Sequence, residues 1–274
     1  MSIKDVIIKN KFQFNKKYGQ NFISDLNLLG AIVADAGVTA EDTVLEIGVG
    51  AGALTACIAQ KAKRVIGYEI DSHLAPVLAE TLADYDNVEI IFEDFMEVDV
   101  SELREKLGEH FKVVANLPYY ITTPVIMKLI ENALGDSLTI MVQEEVAERL
   151  IAGADTVEYG AITAQVALNA NVTLTRKVAR HMFYPPPNVD SAVVRIDIVN
   201  KYPQEIVTLT KKVIKAAFAM RRKTLVNNLM QGLGLSRENA ENVLTATGMP
   251  LNIRGETLNA DNFVKLANNI FRGV

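Results

Sequence analysis

Val44-Leu45-Glu46-Ile47-Gly48-Val49-Gly50-Ala51-Gly52-Ala53-Leu54-Thr55 reads as a buried strand, a glycine-rich turn and the start of a helix. Glycines at such a turn let a ligand approach the backbone with no Cβ in the way. Outward from this stretch the chain alternates short β-branched apolar runs with helical periods. Strands are expected over Thr43–Ile47, Val65–Ile70, Val88–Phe92, Val113–Ala115 and Leu138–Val142. Between them Leu54–Gln60, Leu74–Asp84, Leu103–His110 and Pro124–Ala133 read as helices. This rhythm predicts an α/β fold with a mostly parallel, doubly wound, Rossmann-like sheet. Two further runs, Val172–Val178 and Ala192–Val199, flank Tyr184-Pro185-Pro186-Pro187-Asn188. Their connection is too short for a crossover helix, so they are expected as an antiparallel pair at one edge. After Asn200-Lys201-Tyr202-Pro203 the pattern is purely helical, with segments near Glu205–Ala219, Thr224–Gly232, Arg237–Thr247 and Ala260–Phe271. The expected division is an α/β domain over 1–200 and a small helical domain over 201–274.

A length of 274 residues allows one large domain or two unequal ones. Hydrophobic residues at 49% and charged residues at 22% are ordinary for a soluble globular chain. No N-terminal signal pattern is read in Met1-Ser2-Ile3-Lys4-Asp5, and no apolar run approaches the roughly 20 residues that span a bilayer. The single cysteine, Cys57, excludes an intrachain disulfide, and three scattered histidines offer no metal-ligand spacing. A cytoplasmic protein without a metal is therefore expected, and nothing in the sequence requires more than a monomer.

The net charge of −5 conceals a segregation. Residues 1–22 hold five Lys and one Asp, whereas residues 23–175 hold eight basic and 25 acidic residues. Residues 201–223 hold seven basic residues and one acid. Such runs commonly solvate helix faces. Their placement at the arm and at the start of the C-terminal third is also what a polyanion-binding rim on an acidic body looks like.

Acids recur at successive strand ends: Glu46, then Glu69, then Asp94. Glu69 stands 21 residues after Gly48, where a carboxylate can accept hydrogen bonds from two ribose hydroxyls. A dinucleotide fingerprint is the obvious rival, but its third glycine comes three residues after the second, and here Gly52 follows Gly50 by two. A loop with acids before and beside it is a poor home for a pyrophosphate. It suits a cationic, phosphate-free nucleoside such as S-adenosylmethionine.

The fourth strand runs into Asn116-Leu117-Pro118-Tyr119, with Thr122-Thr123 opening the next helix. Taken alone, these are turn residues. At the end of a strand in an open α/β sheet they occupy the usual ligand position. The Asn116 side-chain oxygen and a carbonyl of the Leu117-Pro118 step can both accept from one aromatic NH2 group. That arrangement draws the amine lone pair out of ring conjugation, while Tyr119 stacks on the base.

With these residues in view, the chain resembles the ribosomal RNA adenine N6-dimethyltransferases, most closely the bacterial small-subunit (KsgA/RsmA) type. The resemblance spans nearly the whole chain. It is carried by Lys16-Lys17-Tyr18-Gly19-Gln20-Asn21-Phe22-Ile23, the glycine loop, Asn116–Tyr119, Tyr159-Gly160, Phe183–Val194 and Phe218–Leu225. It implies a class I methyltransferase sheet and S-adenosylmethionine as cofactor. The substrate it implies is two adjacent adenines in the 3′-terminal hairpin loop of 16S rRNA within the small subunit. By the same resemblance Asn21 and Ile23 close over the cofactor, Gly48 and Gly50 line it, Glu69 holds its ribose, Asp94 contacts its adenine amine, and Asn116 touches donor and target. Asn116, Leu117, Pro118 and Tyr119 form the catalytic set, with Phe183 as candidate for the opposite face of the base or, equally on spacing, as packing beneath the proline loop. Lys16, Lys17, Arg180, Arg221, Arg222 and Lys223 are the candidate phosphate contacts. Ile23 stands where the family usually has Leu, Val49 where Pro is frequent and Asn188 where Lys is common, and a proline pair is missing before Phe183.

Three alternatives stay open on sequence. The large-subunit adenine methyltransferases of macrolide resistance share the cofactor and target motifs. A non-catalytic ribosome-assembly factor could keep the fold as a scaffold. A small-molecule or DNA methyltransferase would leave the basic rim unexplained.

Overall fold

The computed structural model describes residues 6, 9, 10, 12, 21–23 and 25–272. Lys16 and Lys17, with the Tyr18-Gly19-Gln20 part of the arm motif, lie outside the described residues. The chain divides into two compact units, residues 1–147 with 172–198 and residues 148–171 with 199–274.

The first unit is built on a seven-stranded sheet. In chain order the strands of this unit are β1 (Phe22–Ile23), β2 (Thr43–Ile47), β3 (Arg64–Glu69), β4 (Val88–Phe92), β5 (Lys112–Asn116), β6 (Ser137–Gln143), β7 (Ala170–Val178), β8 (Phe183–Tyr184) and β9 (Ser191–Ile198). The sheet order is β4-β3-β2-β5-β6-β9-β7. β2, β3, β4, β5 and β6 pair in parallel, while β9 runs antiparallel to β6 with Ile140 opposite Val194. Val44, Leu45, Val65, Ile66, Val113, Val114, Leu138 and Ile140 are fully buried. Burial on both faces is why these strands read as continuous apolar runs rather than alternating ones.

Helices α1 (Leu26–Asp35), α2 (Ala53–Ala59), α3 (Ala75–Thr81), α4 (Val100–Leu107), α5 (Thr122–Glu131) and α6 (Glu144–Ile151) follow in chain order. The starts of α1 and α4 are set by side-chain caps that periodicity does not show. Asp25 accepts from the N–H groups of Asn27 and Leu28, opening α1. Asp99 accepts from Ser101 N at 2.7 Å, so α4 begins at Val100 and not at Leu103, and it ends at Gly108 with φ +80°. The long helix expected over Leu74–Asp84 is a 3-10 turn over Ser72–Leu74 running into the short α3.

The second unit contains α7 (Ala161–Val166), α8 (Gln204–Ala217), α9 (Leu225–Leu233), α10 (Arg237–Ala246) and α11 (Ala260–Arg272). Val207, Ile214, Leu225, Leu229, Leu244, Phe263 and Leu266 form its core. Residues 148–171, which the sequence grouped with the sheet, belong here. Tyr159, Ala164 and Leu168 bury into that same core, and Tyr159 Oη donates to Leu258 O at 2.7 Å.

Candidate active site

The chain leaves β2 toward β3 and β4, then returns to place β5 on the other side of β2. The strand order reverses between β2 and β5, and a crevice opens beyond their carboxyl ends, where open α/β sheets bind ligands. Two loops meet there, 48–52 after β2 and 116–119 at the end of β5. Gly48 has φ +75°, and a Cβ on it would stand 3.6 Å from Pro118 Cδ and 3.7 Å from Asn116 O. Gly50 has φ +58°, and its Cβ would fall 2.9 Å from Phe22 Cε1. Both positions thus need glycine for conformation, and Gly50 also for contact.

The amides of the glycine loop are largely consumed inside the protein. Gly48 N donates to Tyr68 O at 2.8 Å and Gly52 N to Val49 O at 3.1 Å. Gly50 N donates to Glu69 Oε2 at 2.8 Å, while Glu69 Oε1 accepts from Asp71 N at 2.9 Å. A loop that cradles a pyrophosphate must point its N–H groups at the ligand. This one spends them on two carbonyls and a carboxylate, which accounts physically for the departure from the dinucleotide spacing.

Glu69 is only 6% exposed, and burial raises its pKa against the pull of the two amides. Glu46 is 1% exposed, pairs across the sheet with Gly67 and Val114, and lines the crevice. Burial pushes it up to about 8, with the Thr55 hydroxyl opposing and the Glu69 charge adding. Among the described residues Glu46 Oε2 has no hydrogen-bond partner. A buried carboxyl with an unused oxygen at the floor of a cleft is a receptor for a cation or a donor group. Asp94, beyond β4, is partly buried and accepts from Met96 N at 2.9 Å, turning the 94–98 loop toward the crevice.

On the β5 side, Asn116 Nδ2 donates to Asn21 O at 3.3 Å, which orients the amide and leaves Oδ1 as its acceptor. Pro118 O accepts from Ile121 N at 3.1 Å and Thr122 Oγ1 at 3.2 Å, so the turn is locked onto the start of α5. Tyr119 Oη and Ser191 Oγ share a hydrogen bond of 2.8 Å, and burial raises the phenol pKa. The Tyr119 hydroxyl is therefore an anchor for the ring and not a base at neutral pH. Phe183, 4% exposed, sits in β8, which pairs antiparallel with β1 so that Ile23 faces Phe183 and Phe22 faces Tyr184. This two-stranded ribbon fastens the described end of the arm beside the target loop; periodicity gave no hint of it.

One cleft of about 1170 Å³, counting its open mouth, brings these candidates together. Asn21 and Ile23, Gly48 and Gly50, Glu69 and Asp94, Asn116–Tyr119 and Phe183 all line it. None of the described basic candidates is among the residues that line it. Arg180 spends part of its donor capacity within its own loop, Nη1 donating to Asn188 O at 3.0 Å. Arg221, Arg222 and Lys223 are exposed on the turn before α9, in the second unit. Among the described residues no group of three His, Cys, Asp or Glu side chains could hold a metal ion, and no helix is long and apolar enough to cross a membrane.

A family model, ribosomal RNA adenine dimethylase, matches residues 11–270. Ribosomal RNA small subunit methyltransferase A of Alkaliphilus oremlandii (strain OhILAs) is 44% identical over 273 residues, covering 97% of this chain and 95% of that protein. Among solved structures, a dimethyladenosine transferase from Plasmodium falciparum is similar with a TM-score of 0.76 at 26% identity, over 92% of this chain and 98% of that one. The 23S rRNA methyltransferase ErmE has a TM-score of 0.71 at 25% identity, over 90% and 98%.

Proposed function

Because the chain belongs to the ribosomal RNA adenine dimethylase family, we propose that it dimethylates the N6 amines of two adjacent adenines in the 3′-terminal hairpin loop of 16S rRNA. The methyl donor in this reading is S-adenosylmethionine, and the setting is small-subunit biogenesis in the cytoplasm, with the protein acting as a monomer on the RNA within the assembling subunit. The observation that carries it is the convergence, in one cleft, of an amine-accepting Asn116 turn with three acids and a glycine loop whose amides are spent.

The residues present fit the donor. Glu46 has an unused buried oxygen, and a cation bound beside it would draw its carboxyl, raised to about 8 by burial, back toward the ionised form. An ionised carboxylate has about four acceptor sites, and Gly50 and Asp71 use two of those on Glu69, leaving capacity for ribose hydroxyls. Asn21, Ile23, Gly48 and Gly50 would enclose the donor, with Asp94 at its adenine amine. When bound, the sulfonium supplies an activated methyl group together with its own leaving group.

What this chain must then do is hold the amine. Asn116 Oδ1 takes one N6 hydrogen and the Leu117 carbonyl the other, so the nitrogen lone pair is freed from the ring and aimed. Pro118 stiffens the turn through its carbonyl bonds to Ile121 and Thr122. Tyr119 stacks on the base, its hydroxyl held by Ser191, and Phe183 is the candidate opposite face. Positioning supplies most of the rate here, and no general base is needed, since an alkylated ammonium loses its proton readily to water. After one transfer a single N–H remains, so the amine rotates before the second. An adenine stacked in a helix could not enter, so the target is unpaired or extruded.

The test is radiolabelled methyl transfer to naked RNA, immature small subunits and large subunits, mapped by primer extension. Dimethylation of two adjacent adenines in 16S rRNA is expected. Label in 23S rRNA would replace this reading with the one suggested by the likeness to ErmE, and no label in any substrate would leave an assembly scaffold.

A further inference from the structure

The 94–98 loop is held by a residue of the helix that follows the Asn116–Tyr119 turn. Lys128, on α5, donates from Nζ to Phe95 O at 2.8 Å, Met96 O at 3.0 Å and Val98 O at 2.7 Å. An ammonium has three N–H donors, so all of them are committed to one turn of backbone. The same nitrogen stands 5.0 Å from the centroid of the Phe95 ring, which is itself buried. Four carboxylates, Glu97, Asp94, Asp99 and Glu93, act on it, and burial lowers its pKa against them. Its own helix is rigidly seated: Val125, Ile126, Leu129 and Ile130 are buried on one side, and Thr122 in the first turn is bonded to Pro118 O.

We propose that Lys128 is the positioning residue that sets the 94–98 loop for reading the donor's adenine, and that it ties this loop to the helix carrying the Asn116–Tyr119 turn. The proposal rests on the reading of Asp94 as the contact for the adenine amine. Its physical basis is that burial of Phe95 and Val98, with Phe95 edge-on to Tyr68 at 5.6 Å, anchors the loop's apolar side chains, while the path of its backbone carbonyls is set by hydrogen bonds. Asp94 Oδ1 bonds Met96 N and Asp94 O accepts from Glu97 N at 2.9 Å, both within the loop itself. The Lys128 ammonium bonds the Phe95, Met96 and Val98 carbonyls to another element, and it also offsets the charge that Glu93, Asp94, Glu97 and Asp99 would otherwise concentrate there. A site that reads an N–H of its ligand discriminates only while the acceptor is held in place.

The experiment measures dissociation constants by calorimetry for S-adenosylhomocysteine and for its deaminated counterpart S-inosylhomocysteine, which carries an oxygen in place of the adenine amine. Wild type, Lys128→Met and Asp94→Asn are compared, with Lys128→Gln in place of the methionine variant should the latter not fold. Wild type is expected to prefer the amine-bearing ligand by at least about tenfold. Both variants are expected to lose that preference to within about threefold, with Lys128→Met unchanged in its stacking residues. If Asp94→Asn loses the preference and Lys128→Met keeps it while weakening both ligands alike, Lys128 is a general strut and the proposal is overturned. If Asp94→Asn keeps the preference, the assignment of Asp94 is what has failed, and the proposal falls with it.

Discussion

Asn116 donates its side-chain amide to the backbone carbonyl of Asn21, 95 residues earlier in the chain, at 3.3 Å. That single bond decides which atom of the amide faces the cleft, because an amide whose nitrogen is engaged presents its oxygen. Asn116→Ala is expected to lower the rate at saturating donor by about 100-fold, the scale of a misplaced reacting group, while donor affinity changes less than about threefold. Single-turnover kinetics beside calorimetry check this; equal losses in both would contradict the role given to Asn116.

Glu69 latches the glycine loop through Gly50 and, in the proposed site, presents acceptors to a ribose. Glu69→Gln replaces one oxygen by a donor, which then opposes either the Gly50 or the Asp71 N–H. Donor binding is expected to weaken by at least about tenfold, the scale of one charge-assisted hydrogen bond. An unchanged dissociation constant would remove Glu69 from the donor site.

Glu46 makes stability depend on pH with a definite sign. Its folded pKa, about 8, lies above the ordinary value of 4.5. The unfolded chain therefore releases this proton first, and stability is lost as pH rises from about 4.5 through about 8. Relative to Glu46→Gln, the wild type should lose up to about 1.4 kcal/mol per pH unit across that window, levelling off above it. Denaturant unfolding at pH 5, 6.5, 8 and 9 measures the difference; parallel profiles would show that Glu46 ionises normally.

Arg221, Arg222 and Lys223 are exposed and adjacent. If they contact phosphates, replacing all three with Ala should flatten the slope of log affinity for RNA against log salt by about 2–3. Donor affinity should not move. A mutant line parallel to wild type would dismiss the patch.

The convergence of the proposed donor-site residues on one cleft could be read along the chain. Glu46, Glu69, Asp94 and Asn116 stand at the ends of consecutive parallel strands, and such strands place their carboxyl ends along one edge of the sheet. Local periodicity therefore sufficed to bring them together, and the glycine spacing already told against a pyrophosphate. Cap chemistry was harder to weigh than apolar period, so α4 started three residues earlier than expected, at the residue that follows Asp99.

Other features arose only once distant segments met. The ribbon of Phe22–Ile23 with Phe183–Tyr184, the hold of Ser191 on Tyr119, the reach of Lys128 to the 95–98 carbonyls and the burial of Tyr159 among the C-terminal helices leave no periodic trace. Each is a contact between residues 30 or more positions apart, chosen by the geometry of a packed core. Identity and order of side chains were enough to specify the strands, the acids and the chemistry they invite. The orientation of an amide, the path of a loop and the state of a buried carboxyl required the fold, because hydrogen-bond partners and desolvation exist only after the chain has closed on itself.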